Sequence, residues 1–451
     1  MIPAQIFREY DIRGVADRDM SDEFVVDLGR AMGTFWRREG ARRVALGRDC
    51  RLSSPRLHQG LRKGLLESGL VIVDIGVGPT PMMYYTVFDL DLDGGVQITG
   101  SHNPPEDNGF KLMKGKGSLF GADLQTLRSM MEQRDFDEHA GGRIEEYDPL
   151  TSYTAFIRGN VQLSRKDLRV AIDAGNGAGG PTALAAFRAA GVEPLALLCS
   201  MDGHFPTHHP DPSQPENLEL LRRTVLENGL DLGIAFDGDA DRIGVIDAKG
   251  DTIWGDKLMI LFSRSILERH PGAAIISEVK CSQAMYDDIA AHGGRPIMWR
   301  TGHSLIKKKM KEEHALLAGE MSGHMFFADR FFGFDDAVYA ALRLLEIVAD
   351  ADVPLHALLA DVPTTYATPE LRVDCADDVK FGLVQRVLAH YRASHRVIDV
   401  DGARIQFDGG WGLVRASNTQ PVLVLRFEAE SAERLAEIRA EVEGVVQGYR
   451  G

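Results

Sequence analysis

Cysteine is scarce and scattered: four residues, Cys50, Cys199, Cys281 and Cys375, occur in 451 positions with no CxxC spacing. That leaves no basis for a disulfide framework or a cysteine metal site, and reduced, mostly buried thiols are expected. Long apolar runs are missing too. None approaches the roughly 18 residues of a membrane span, and Met1-Ile2-Pro3-Ala4-Gln5 lacks the basic-then-apolar pattern of a signal peptide. The expectation is a cytoplasmic protein with no membrane partner. Positive charge is outnumbered, with 51 Lys and Arg against 66 Asp and Glu and a net charge of −15, which argues against a nucleic-acid backbone as partner. The same sign sets a condition on any phosphorylated ligand: it is repelled at long range, so its site must be locally basic. Arg8, Arg13, Lys111, Arg242, Lys280, His303 and Arg415 lie near the motifs described below and form such a pocket if the fold brings them together.

What is present is an ordinary globular composition, 44% apolar and 26% charged, in a chain long enough for three or four domains at about 100 to 200 residues each. Ser21 stands where a helix N-cap belongs, Val25, Leu28, Met32 and Phe35 follow at helical spacing, and Gly40 ends the run. A strand over 43–47 leads into the polar Arg48-Asp49-Cys50-Arg51, then a helix near 55–68 and a strand over 71–75. Similar strands over 168–174 and 274–277 each lead a further block, hinting at a threefold repeat of one α/β unit. Alternation of this kind predicts sheets covered by helices on both faces, with ligands at the carboxyl ends of strands. From about residue 364 strand, helix, three extended runs and a final amphipathic helix predict a smaller α+β unit.

Several stretches carry chemistry. Thr99-Gly100-Ser101-His102-Asn103-Pro104 follows the strand-like Gly95-Val96-Gln97-Ile98; it is either a plain polar turn or a loop presenting Ser101 as a phosphoryl carrier. Asn108-Gly109-Phe110-Lys111 follows closely, making Lys111 a solvated charge or a candidate acid, base or phosphate contact. Leu232–Phe236 reads as a buried strand delivering Asp237-Gly238-Asp239-Ala240-Asp241-Arg242. Carboxylates on alternate residues of a tight turn suit one hard cation, and an EF-hand is ruled out because Arg242 and Ala248 stand where glycine and glutamate are required. Asp237, Asp239 and Asp241 are therefore expected to bind magnesium, leaving Arg242 free for a phosphate. Gly319-Glu320-Met321-Ser322-Gly323-His324 sets a carboxylate and a hydroxyl two residues apart, suited to neighbouring sugar hydroxyls. Arg415-Ala416-Ser417-Asn418-Thr419-Gln420-Pro421 offers a guanidinium, hydroxyls, an amide and loop N–H groups to a phosphate dianion.

Three other features compete. Gly175-Asn176-Gly177-Ala178-Gly179-Gly180 is a literal G-x-G-x-x-G between strand and helix, with Glu193 or Asp202 as a ribose acid, and supports a nicotinamide-dependent oxidoreductase; otherwise its glycines let a helix start close to a strand end. His204, His208 and His209 in a proline-studded loop suggest either zinc or loop architecture. Lys307-Lys308-Lys309 reads as a solvated helix face.

Taken together, TGSHNP, DGDADR, GEMSGH and RASNTQP, in this order across essentially the whole chain, resemble the α-D-phosphohexomutase family. The wording is most similar to its bacterial phosphomannomutase/phosphoglucomutase branch; phosphoglucosamine mutases, the alternative within the family, tend to GEQSGH and SGT. The resemblance implies three similar α/β domains with mixed sheets around a central cleft plus a smaller, mobile α+β domain, divided at 1–149, 150–251, 252–363 and 364–451. It implies interconversion of hexose 1- and 6-phosphates through phosphorylated Ser101 and a hexose 1,6-bisphosphate, with magnesium on Ser101, Asp237, Asp239 and Asp241. Arg242 then touches the phosphoserine, Glu320 and Ser322 hold sugar hydroxyls, and Arg415, Ser417, Asn418 and Thr419 grip the distal phosphate. Tyr10, Arg13, Lys111, Lys280, His303 and His324 line the cleft, with the acid and base to be found among Lys111, His303 and His324. A monomer or weak homodimer acting on a phosphorylated hexose completes the expectation.

Overall fold

The computed structural model describes residues 2–418 and 420–450. Its first sheet runs, edge to edge, through Ile12–Val15, Asp107–Lys114, Gly94–Ile98, Arg43–Arg48, Val71–Val77 and Arg143–Glu146, with Gly117–Ser118 paired on Asp107–Lys114. The last four strands in that order are parallel, and Asp107–Lys114 is antiparallel to both its neighbours in it. The central strands are buried on both faces because helices cover both. Helix Asp22–Arg38 starts where Ser21 Oγ accepts from Phe24 N at 3.2 Å. It lies directly on Ser54–Glu67, and the closeness requires glycine: a Cβ on Gly64 would stand 2.2 Å from the Val26 carbonyl.

A second sheet orders Thr252–Ile253, Ile243–Asp247, Leu232–Phe236, Val170–Asp173 and Leu195–Leu197, and a third orders Arg295–Trp299, Ala274–Glu278, Leu317–Gly319 and Met325–Phe327. Both mix parallel strands with an antiparallel edge. Thr252–Ile253, placed by sequence in the third unit, pairs with Ile243–Asp247 of the second. The fourth sheet, built from Tyr366–Ala367, Leu371–Asp374, Val397–Ile398, Ala403–Phe407, Gly410–Ala416 and Val422–Ala429, is antiparallel throughout and packs against helices Asp377–Arg392 and Ala432–Arg450. The architecture is thus three α/β units with mixed sheets and a smaller α+β unit, as the sequence predicts.

One apolar cluster runs from Ala45 through Ile172 and Phe236 to Leu359, crossing the first three units, whereas the fourth has its own cluster from Cys375 to Val446. Aromatic rings tie the first three together, with Tyr84, Tyr85 and Phe88 set against Phe332 and Phe334, and Phe156 of the second unit against Tyr85 and Phe332. The fourth unit is joined to the third by a small apolar cluster of Val279, Trp411 and Leu413 and by polar links. Buried Arg404 donates to the carbonyls of Val279 (2.6 Å) and Cys281 (2.8 Å) while stacking 3.8 Å from the Trp411 ring centre, and Gln283 N donates to Glu428 Oε1 at 3.0 Å. All four cysteines are free thiols. No described helix is long and apolar enough to cross a membrane.

The lysine run departs from expectation at one position. Lys307 is buried, its ammonium 3.0 Å from Asp335 Oδ1 and 4.3 Å from the Tyr84 ring centre. Helix His303–Glu313 turns that residue inward while Lys308 stays exposed, so the three lysines do not share one solvated face.

Candidate active site

Two loops at the ends of buried strands meet at the centre of the molecule. Gly94–Ile98 delivers Ser101, and the hairpin between Leu232–Phe236 and Ile243–Asp247 delivers Asp237, Asp239 and Asp241. Ser101 Oγ donates to Asp237 Oδ2 at 2.6 Å and lies 3.0 Å from His102 Nδ1. Glycine allows the approach, since a Cβ on Gly238 would stand 2.3 Å from the Ser101 carbonyl. Ser101 itself sits in the left-handed region at φ +48°, a conformation its surroundings must impose. The glycine-rich turn at 175–180 serves the same junction: Cβ atoms on Gly177 and Gly179 would stand 2.7 Å from the Gly238 carbonyl and 2.4 Å from Ala240 Cβ. The acidic hairpin covers the place a dinucleotide would need, and the acids put forward for a ribose are engaged elsewhere, Glu193 with Arg188 and Asp202 with His204.

The three aspartates are fully buried, with ligand oxygens within 4.8 Å of one another. Lys111 Nζ donates to Asp239 Oδ2 at 2.7 Å and to Asp241 Oδ2, and Thr80 Oγ1 donates to Asp239 Oδ2. Asp237 Oδ1 accepts from the backbone N–H groups of Asp241 (3.0 Å) and Arg242 (3.1 Å). Asp239 Oδ1 and Asp241 Oδ1 are buried with no hydrogen-bond partner among the described residues. Orphaned carboxylate oxygens are costly, and an all-oxygen donor set of this kind fits a hard divalent cation. Burial pushes the Asp237 carboxyl well above the usual range, and the Asp241 and Asp239 charges push it further. Burial also raises Asp239, but the Lys111 ammonium outweighs it and holds that carboxyl below the usual range. Lys111 is raised in turn: burial pulls it down, but Asp239 and Asp241 more than offset this, so it remains an ammonium.

A second group of side chains arrives from the third unit. Gly323 sits at φ +96° where a Cβ would stand 2.3 Å from the Ile243 carbonyl, which presses the loop carrying His324 onto the acidic hairpin. His324 Nε2 accepts from Arg242 Nε at 2.9 Å, while its Nδ1 stands 3.0 Å from Asp335 Oδ2. The His303 ring stacks on His324, with centres 5.7 Å apart, and burial followed by the nearby Lys307 charge lowers its pKa well below that of a free imidazole. Arg13 NH1 donates to Asn103 Oδ1 at 2.7 Å. Glu320 Oε1 accepts from Gly302 N at 2.7 Å and its Oε2 from Ser322 Oγ at 3.2 Å.

The outer wall comes from the fourth unit. Arg415 Nε donates to Asp401 Oδ2 at 3.1 Å, and that oxygen also accepts from Thr301 N. Lys280 Nζ pairs with Glu370 Oε2 at 3.0 Å; burial raises the Glu370 carboxyl, yet Lys280 brings it down to about 2. Ser417 is buried, with its Oγ accepting from Gln420 N at 3.2 Å. Asn418 Nδ2 donates to Tyr10 Oη at 2.7 Å, and Tyr10 Oη donates to the Thr301 carbonyl at 2.9 Å, joining the first, third and fourth units through one hydroxyl. Burial lifts the Tyr10 phenol to about 12. Thr419 lies outside the described residues.

Sequence reasoning therefore selected residues that the fold gathers from all four units, but it overlooked their supports. Asp335, Thr80, Asp401 and Glu370 each hold a selected residue and stand in no recognisable spacing, because their partners are remote in sequence, and Lys307 in turn holds Asp335. His208 and His209 are likewise structural, His208 Nε2 lying 3.0 Å from Asp173 Oδ2 and His209 Nε2 bonding the His102 carbonyl.

Comparison with known proteins agrees with this arrangement. Family models match each unit in turn: phosphoglucomutase/phosphomannomutase α/β/α domain I over residues 4–138, domain II over 151–250, domain III over 254–366 and the C-terminal domain over 370–445. The phosphomannomutase/phosphoglucomutase of Pseudomonas putida is 45% identical over 439 residues, covering 97% of this chain and 94% of its own. A phosphoglucomutase of Neisseria gonorrhoeae is 42% identical over 450 residues, covering 99% and 97%. A crystal structure of a phosphoglucomutase/phosphomannomutase family protein from Burkholderia thailandensis superposes with a TM-score of 0.94 at 40% identity, covering 100% of this chain and 98% of that one. Four domain matches in order, full-length relatives and a shared four-unit fold establish that this chain belongs to the phosphoglucomutase/phosphomannomutase family.

Proposed function

We propose that this chain is a phosphohexomutase that interconverts hexose 1-phosphate and hexose 6-phosphate, with mannose and glucose as the sugars and Ser101 as the phosphoryl carrier. The observation that supports it most is the 2.6 Å contact between Ser101 Oγ and Asp237 Oδ2 inside a buried carboxylate trio. Magnesium held by Asp237, Asp239, Asp241 and an oxygen of the phosphorylated serine would offset negative charge as the phosphoryl group transfers.

The distal phosphate of the sugar binds Arg415, Ser417, Asn418 and Thr419, and Glu320 with Ser322 holds two ring hydroxyls. That leaves the free hydroxyl at the other end facing Ser101. Its oxygen forms a bond to phosphorus as the bond from phosphorus to Ser101 Oγ breaks, giving the hexose 1,6-bisphosphate. The hydroxyl proton passes to His324 Nε2 as Arg242 Nε leaves that lone pair for the phosphoryl oxygens, and Ser101 Oγ departs as an alkoxide that is protonated in turn. Lys111 is unsuited to that task because two carboxylates hold its proton. The bisphosphate then reverses end for end, and its other phosphoryl group returns to Ser101 by the same steps backwards. Arg242, Arg13 and Lys111 supply the local positive charge that the overall charge of −15 lacks.

Four free thiols suit a reducing compartment and support a cytoplasmic location. A monomer or weak dimer is proposed as the working form. The test is a side-by-side mutase assay on the 1-phosphates of glucose, mannose and glucosamine with magnesium and a trace of the matching 1,6-bisphosphate. Turnover of glucose and mannose phosphates is expected to dominate. A preference for glucosamine phosphate would move the chain to the other branch, and no turnover of any of them would overturn the proposal.

A further inference from the structure

The polar stretch Arg48-Asp49-Cys50-Arg51 at the end of strand Arg43–Arg48 has no part in the reaction just described, yet it contains one of the most deeply buried charges in the protein. Arg51 is 1% exposed. Burial lowers its pKa, with Asp49 opposing the shift. Its guanidinium faces not a ligand but the backbone of the serine loop. NH2 donates to the carbonyls of Ser101 (2.8 Å) and Asn103 (2.6 Å), and NH1 donates to those of Asp107 (2.9 Å) and Pro104. Nε stands 3.3 Å from Asp49 Oδ2. That oxygen also accepts from Gly100 N at 3.0 Å, and Asp49 Oδ1 accepts from Arg51 N and from Ser54 Oγ at 2.5 Å. The second unit closes the far side, with the Phe205 ring centre 5.2 Å from Arg51 Cζ. The fit explains the glycine before the serine, because a Cβ on Gly100 would stand 2.4 Å from Arg51 Cζ.

We propose that Arg51 is the positioning residue of the phosphoryl carrier: its planar fork gathers the carbonyls of Ser101 and of the loop that follows it, while its partner Asp49 holds Gly100 N on the other side, and together these contacts impose the left-handed backbone at Ser101, which aims Oγ at Asp237. Arg51 lies behind the loop and does not touch the sugar, so it governs the step at phosphorus and not substrate affinity. A lysine cannot replace it, since a compact ammonium lacks the rigid fork that reaches all these carbonyls. The inference rests on Ser101 being the carrier, and the experiment separates the two claims.

Arg51→Lys and Arg51→Ala are compared with the unaltered protein for kcat and KM on glucose 1-phosphate with magnesium and glucose 1,6-bisphosphate. Thermal unfolding confirms that each variant is folded, and millimolar guanidinium chloride is added to the alanine variant. The expected result for Arg51→Lys is a kcat lower by about 100-fold, the scale of a displacement near 1 Å at a reacting atom, with KM within about twofold. Guanidinium should restore at least about tenfold of the lost kcat in Arg51→Ala while leaving the unaltered protein unchanged, a recovery that a merely structural loss does not give. If the alanine variant fails to fold, the lysine variant alone decides. A folded lysine variant with unaltered kcat, a loss carried by KM, or a folded alanine variant indifferent to guanidinium would overturn the proposal. Absence of phosphate on Ser101 in the unaltered, active protein would instead overturn the carrier reading beneath it.

Discussion

Lys111 illustrates how one side chain reports on its whole neighbourhood. Its ammonium is buried between Asp239 and Asp241, and removing it leaves both carboxylates without the cation that pairs with them directly. Lys111→Met is therefore expected to lower stability in chelator by about 3 to 5 kcal/mol, the usual cost of stranding a buried charge. Millimolar magnesium should return part of that loss, because binding to the folded state alone stabilises it. Thermal unfolding with and without magnesium reads both effects, and a variant indifferent to magnesium would argue against the carboxylate trio as the cation site. The aspartates were legible in the sequence because alternation in a tight turn is a local pattern. Asp335 was not, since its contact with His324 exists only after the third unit has folded.

At the scale of elements, the helix Ala337–Asp350 shows how a cap can make stability depend on pH. Asp336 is its N-cap, accepting from Tyr339 N at 2.9 Å and from Tyr153 Oη at 2.8 Å. Burial raises its pKa to about 7, against an ordinary value near 3.8. The folded state therefore binds more protons than the unfolded state between about pH 4 and 7, so this group's contribution falls as pH rises through that window, by at most about 1.4 kcal/mol per unit. Asparagine caps without titrating. Relative to the unaltered protein, Asp336→Asn should gain stability steadily from pH 4 to 7 in denaturant melts; a difference that stays constant with pH would contradict this. Most element positions were readable from periodicity, including Ser21 as a cap and Leu232–Phe236 as a strand. The inward turn of Lys307 was not, because three lysines in a row hide which one meets Asp335.

Across the whole molecule, three units share one core while the fourth is attached through a small apolar cluster and polar links, and the Tyr10 hydroxyl joins it to the first across the site. Tyr10→Phe removes both hydrogen bonds at little cost in packing, so the expected outcome is a KM for hexose phosphate raised several-fold with a smaller change in kcat. Small-angle scattering should show a larger radius of gyration for the substrate-bound variant than for the substrate-bound unaltered protein. Equal radii and equal KM would remove Tyr10 from any role in holding the fourth unit closed. The four motifs announced the four units in order, but how tightly each joins its neighbours depends on aromatic and arginine contacts scattered along the chain.

The central claim, that Ser101 carries the phosphoryl group beside the aspartate trio, is tested most directly by incubating the protein with glucose 1,6-bisphosphate and magnesium, then mapping phosphate by tandem mass spectrometry. The predicted result is one phosphoryl group on Ser101 that, when isotopically labelled, passes into the hexose phosphates on adding glucose 1-phosphate, and that never forms in Ser101→Ala, which keeps its fold but loses nearly all turnover. Turnover by Ser101→Ala at the unaltered rate, or an active protein whose Ser101 never bears phosphate, would contradict it.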